Sequence, residues 1–95
     1  MDKAKVHRSM KLQLSSRARF RDVGGEGVIV NLESGRVVVV NAVGLFIVQQ
    51  LANQVTENEV VDLITAAFDV SDAEAQTDLS EFLNNMAAEK LVLHV

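Results

Sequence analysis

The side chains able to do chemistry fall into few groups. Glu57, Glu59 and Asp62 crowd one short stretch, and Asp72, Glu74 and Asp78 crowd another. Carboxylates so spaced can act as acid and base or hold a hard cation. Both groups, however, follow a residue that caps helices, and acids at a helix start complement its positive N-terminal dipole. That structural task is sufficient for them. Cysteine is absent, which removes thiolate metal sites, disulfides and a cysteine nucleophile together. The two histidines, His7 and His94, stand near opposite ends of the chain, and the serines at 9, 15, 16, 34, 71 and 80 have no nucleophile elbow around them. Gly24-Gly25-Glu26-Gly27 has the composition of a phosphate loop, but no helix follows to supply the anion-binding N-terminus. It reads as a hairpin connection. No catalytic residue, metal ligand set or cofactor is nominated.

The elements that must position anything else are legible in the periodicity. Ninety-five residues make one domain, and 48% hydrophobic content without proline describes a folded chain. No apolar run approaches the roughly 18 residues of a membrane span, and no apolar block follows the basic start, so the expectation is a soluble cytoplasmic protein. Residues 1–16 hold no sustained period and read as a flexible N-terminal arm, with order only near Leu12 and Leu14; the domain proper is expected over 17–95. Arg17, Arg19 and Arg21 then alternate with Ala18 and Phe20, the signature of a half-buried strand. Val28–Leu32 reads as a second strand, with Val28, Val30 and Leu32 facing one way, and Glu33-Ser34-Gly35-Arg36 as a tight turn into Val37–Val40. Three helix starts follow. Asn41 is a cap, and Thr56 with Glu59 and Ser71 with Glu74 form capping boxes. The apolar stripes are Leu45, Ile47, Val48 and Leu51; then Val60, Leu63, Ile64, Ala67 and Phe68; then Leu79, Phe82, Leu83 and Met86. Leu91–Leu93 closes the chain as a short extended segment. The fold class is α+β: a three-stranded antiparallel meander followed by three helices, winged-helix-like.

Charge is divided unevenly. Residues 1–40 hold eight bases against four acids, a net +4, whereas residues 41–95 hold Lys90 against nine acids, a net −8. A winged-helix DNA-binding protein is therefore one reading of the parts. It needs cations on its recognition helix, and neither 57–68 nor 72–89 contains a Lys or Arg. The bases lie instead on the arm and the first strand.

The strand Arg36–Val40 is the anomaly. In a meander it is an edge, and Val37-Val38-Val39-Val40 is apolar on both faces where a half-wet sheet would alternate. Edges of this kind are normally blunted by charge, proline or a bulge. Either the protein's own third helix or a homodimer covers it, or an extended peptide adds to it as a further strand.

Several stretches together resemble the PqqD family, the small proteins of pyrroloquinoline quinone biosynthesis that typify the recognition elements of ribosomal-peptide maturation. The likeness runs from about Arg19 to Leu93. It rests on Val37-Val38-Val39-Val40-Asn41, on Leu45–Leu51, on Val55–Ile64, on Phe68-Asp69-Val70-Ser71 and on Asp78–Met86, in that order and spacing. The chain departs from the family pattern at Ala52-Asn53, where an acid and a glycine are common, and at Glu89-Lys90-Leu91, where a glycine is common. The resemblance implies a non-catalytic chaperone without cofactor. Such a protein binds the leader of a precursor peptide and presents it to a maturation enzyme, a radical SAM protein in the quinone pathway. It further implies a peptide-binding site made of the strand Arg36, Val37, Val38, Val39 and Val40, walled by Leu79, Phe82, Leu83 and Met86 of the third helix. Arg17, Arg19 and Arg21 are candidates for steering an acidic leader.

Overall fold

A computed structural model describes residues 11–94; the arm's basic cluster (Lys3, Lys5, His7, Arg8) lies outside the described residues. In chain order the elements are β1 (Lys11–Leu14), β2 (Ala18–Val23), β3 (Glu26–Asn31), β4 (Val37–Val40), α1 (Ala42–Leu51), β5 (Val55–Thr56), α2 (Glu57–Ala67), α3 (Asp72–Ala88) and β6 (Val92–His94). The expected meander is present as the antiparallel sheet β2-β3-β4, followed by three helices. The β2–β3 turn is made by Gly24 and Gly25 at φ 68° and 94°, the positive values that a two-residue hairpin demands. Asp22 Oδ1 accepts the Gly25 N–H at 2.8 Å.

A second sheet, β5-β1-β6, was not foreseen. It changes the domain boundary. Lys11–Leu14, assigned from sequence to the arm 1–16, is the central strand of this sheet, with Leu12 paired to Val55 and His94 and completely buried. A fully buried leucine is worth roughly 1.5–3 kcal/mol, so Lys11–Leu14 is part of the folded domain. Both partners lie more than 40 residues away, which is why local periodicity could not show it.

The helix starts form as their sequences dictate. Asn41 Oδ1 accepts from Gly44 N–H at 2.9 Å, and Thr56–Glu59 and Ser71–Glu74 are reciprocal capping boxes. The Thr56 backbone N–H, then its hydroxyl, hold the Glu59 carboxyl below the usual carboxylate range. The buried arc of α2 is rotated from the expected stripe. Val60, Val61 and Ile64 are buried while Leu63 and Ala67 are exposed, because α2 is set between α1 and α3. In α3 the inward positions are Ala75, Leu79, Leu83 and Met86, at helical spacing.

Helix α3 ends in a Schellman arrangement: Leu91 N–H reaches Met86 O (2.9 Å) and Lys90 N–H reaches Ala87 O (3.0 Å). Lys90 sits at φ 58°, the left-handed position at which the family pattern commonly has glycine. The turn thus delivers buried Leu91 to the core and β6 to β1.

The one buried polar side chain among the described residues, Asn31, joins the sheet to this same helix end. Its Nδ2 donates to Glu89 O (2.9 Å), and its Oδ1 accepts from Glu33 N–H (2.9 Å) and Ser34 N–H (3.2 Å). Its backbone N–H donates to Arg36 O (2.9 Å) and its carbonyl accepts from Gly35 N–H (2.7 Å). The turn that feeds β4 is therefore fixed relative to α3.

Two stability measurements follow from these contacts. Asn31→Ala removes three partly buried hydrogen bonds to the backbone and should cost about 1–3 kcal/mol in urea unfolding; a neutral result would show that water replaces the amide freely. Lys90→Gly relieves the left-handed strain and should add about 1 kcal/mol, read as a rise in Tm.

Candidate functional site

The valine strand is the edge that the sequence reading required: among the described residues β4 pairs only with β3. Its two faces differ. Val38 and Val40 are half-buried and turn inward onto the core, whereas Val37 and Val39 are 58% and 66% exposed on the outer face. The run is apolar on both sides because one side is core and the other is open surface.

The backbone phase of β4 follows from two hydrogen bonds. Asn31 N–H donates to Arg36 O, and Leu32 N–H to Arg17 O (2.8 Å). In an antiparallel strand a residue's N–H and C=O point to the same side, and that side alternates along the chain. Hence Arg36, Val38 and Val40 bond toward β3, and Val37 and Val39 present their amides and carbonyls to the open edge. The other edge of this sheet, β2, carries Arg19, Arg21 and Asp22 within the strand, the charges that discourage strand addition. The two edges are unequal, and β4 is the unguarded one.

Helix α3 runs beside this edge and is tied to both its ends. At the start of β4, Arg36 makes a two-pronged ion pair with Glu89, at 2.8 Å and 3.0 Å. At its other end, the position a Cβ would take on Gly44 lies 2.7 Å from Val40 Cβ and 3.1 Å from Phe82 Cε1. Asp78, Phe82 and Asn85 of α3 and its C-cap Glu89 share one side in a stripe of i, i+4, i+7, i+11 spacing, with Glu81 flanking it. Where β4 ends, a cavity of about 220 Å³ opens between the α1 start (Asn41, Val43, Gly44, Ile47) and α3 (Asp78, Glu81, Phe82, Asn85).

Of the wall residues named from the resemblance, the structure brings only Phe82 to this groove. Leu79, Leu83 and Met86 are 2%, 8% and 1% exposed and belong to the core; they lie on the inward face, one helical step round from the stripe. Asp78, Glu81 and Asn85 were missed because the apolar periodicity marks the core-facing side, whereas a groove wall lies at the stripe's margin. Arg19 and Arg21 project from the outer face of β2, at the far edge of the sheet from β4. They line a broader hollow of about 610 Å³ with Val23, Val28 and Val30, and Arg19 is engaged with Ser16 O and Ala18 O. Through β3 they stand in the same cross-strand rows as Val37 and Val39 on the outer face, whereas the charges on the α3 side of β4 are the Arg36–Glu89 pair and the carboxylates of Asp78 and Glu81. Among the described residues no group of His, Asp and Glu is placed to hold a metal ion, and no helix is long and apolar enough to cross a membrane.

The sequence profile of Coenzyme PQQ synthesis protein D (PqqD) matches residues 26–92, a span that contains β3, β4 and all three helices. The chain belongs to the PqqD family. No curated protein matches it. Among solved structures, this PqqD-family chain is similar to TbiB1 in complex with the TbiA(beta) leader peptide, with a TM-score of 0.77, 28% identity, and 84% of this chain and 93% of that chain covered. It also shares its fold with lasso peptide synthetase B1 complexed with the leader peptide, with a TM-score of 0.74 at 18% identity over 86% of this chain and 96% of that one.

Gly44 is the residue on which the closed end of the groove depends. Gly44→Ala puts a methyl group into Val40 and Phe82, and should lower stability by about 1–2 kcal/mol despite alanine's better helix propensity. The accompanying amide shifts should centre on Val40, Asn41 and Phe82; an increase in Tm would mean that α1 moves away without cost.

Proposed function

We propose that this PqqD-family domain is a non-catalytic adaptor that binds the leader segment of a ribosomally made precursor peptide as an added strand on β4. The observation that carries the reading is the open backbone of Val37 and Val39 at an apolar, uncharged edge beside the α3 groove. The solved relatives support it, since both are described as bound to leader peptides.

The mechanism is β-augmentation. A peptide laid along β4 exchanges hydrogen bonds with Val37 and Val39, each contributing on the order of 1 kcal/mol net. Because side chains alternate across a strand, peptide residues opposite Val37 and Val39 share their outer, apolar face. Those opposite Val38 and Val40 project toward the stripe on α3. Backbone pairing gives affinity regardless of sequence, and the two sets of side chains give preference. The domain contributes no reacting group in this scheme; it holds the leader extended and leaves the rest of the precursor to a maturation enzyme. In the quinone pathway that enzyme is a radical SAM protein, and it is the first candidate for the recipient here.

Edge phase makes the test specific. Val39→Pro removes an N–H that bonds no residue of β3, and proline is tolerated on an open edge, so the sheet should survive by circular dichroism. Titration with synthetic leader peptides, beginning with the TbiA(beta) leader, should shift amides of residues 36–41 and of the α3 stripe in the native protein. In Val39→Pro the affinity should fall about tenfold, the value of one or two hydrogen bonds. Undiminished binding, or shifts confined to β2 or α2, would remove β4 as the site. Sedimentation that shows a peptide-displaced dimer would mean instead that two β4 edges pair with each other.

A further inference from the structure

The cavity at the end of β4 has a chemical character that the strand edge alone does not explain. Its lining combines apolar Val43, Ile47 and Phe82 with the amides of Asn41 and Asn85 and the carboxylates of Asp78 and Glu81. Neither acid has a task inside the fold. Glu59 and Glu74 close capping boxes, and Glu89 pairs with Arg36, but Asp78 and Glu81 make no hydrogen bond or ion pair among the described residues. The helix dipole, to which the sequence reading assigned Asp78 together with Asp72 and Glu74, does not account for them either, since the first-turn acids of α3 are Asp72 and Glu74 alone. It acts within the first turn, and α3 begins at Asp72, so Asp78 stands in the second turn and Glu81 in the third. No cation lines the cavity.

From this we infer that the pocket takes a Lys or Arg side chain of the bound peptide, the residue that projects inward beside Val40. A long cationic side chain fits the sequence of surfaces: its methylene stem lies along Phe82 and Val43, and its charged end emerges between Asp78 and Glu81. The assignment rests on the strand-addition reading above, because β4 is what brings the peptide to the cavity: Asn41, the residue after Val40, is itself part of the lining. It goes beyond that reading by naming a charge preference, in a groove where backbone pairing is indifferent to sequence.

The experiment is a selection from a random dodecapeptide display library on the immobilised native domain, on D78N/E81Q and on Val39→Pro. Peptides recovered on the native domain should be enriched in Lys or Arg at one position relative to the strand. Exchanging that residue for norleucine should weaken binding about fivefold at low salt, and less at high salt. D78N/E81Q should bind the norleucine and Lys peptides equally, and D78K/E81K should prefer Glu at that position. Peptides that need Val39 but show no positional cation, or a cation preference that survives D78N/E81Q, would overturn the pocket assignment and leave strand addition standing. Recovery of peptides indifferent to Val39→Pro, or of none, would overturn both.

Discussion

The side-chain amide of Asn31 is the contact on which the groove depends. It is buried where the sheet meets the end of α3, and it satisfies a carbonyl of the helix terminus and two amides of the turn that feeds β4. A buried amide left partly unpaired is costly, which makes its three bonds directional constraints rather than incidental contacts. Once they are made, β4 cannot swing independently of α3. The exposed Arg36–Glu89 pair adds little energy of its own, as surface ion pairs do, but it closes the same junction from outside. At the far end the missing side chain of Gly44 leaves room for both Val40 and Phe82 to pack close to the α1 backbone. A strand edge and a helix are thus held apart at both ends, with space between them.

That arrangement answers how a small protein can keep an apolar edge open. Of the two edges of the meander, β2 carries charges and β4 does not, so within this sheet β4 is the edge more open to an added strand. The inward valines are committed to the core, leaving the outward pair and two open backbone positions for recognition. Affinity built on main-chain bonds tolerates many sequences, so discrimination has to come from the groove beside the strand. In this chain that groove is acidic. The basic side chains Arg19 and Arg21 of β2 stand on the opposite, outer face of the sheet, in the cross-strand rows of Val37 and Val39.

Much of the fold was legible because it is local. The caps at Asn41, Thr56 and Ser71 announce themselves in adjacent residues, and the alternation around Phe20 and the valine run each identify a strand within a few positions. Even the anomaly of Val37–Val40 is visible as a violation of period two. The β5-β1-β6 sheet was not legible, since Leu12 owes its burial to partners at Val55 and His94, and nothing in Lys11–Leu14 names them. Which side of α3 borders β4 was not legible for a related reason. Hydrophobic spacing identified Leu79, Leu83 and Met86, but such spacing marks what a helix buries, and a binding wall stands beside the buried arc.

The sequence by itself determined the order of the meander and the three helices, the helix starts, the uncharged edge strand and the family, all of which depend on residues close together in the chain or on their spacing. Only the tertiary structure decided which amides of that strand are open, which face of α3 borders it, and that Asp78 and Glu81 meet the α1 start across a cavity. Those facts depend on how strand phase and helix rotation are fixed by distant contacts, at Asn31 and Gly44 above all. Linear spacing carries no record of them.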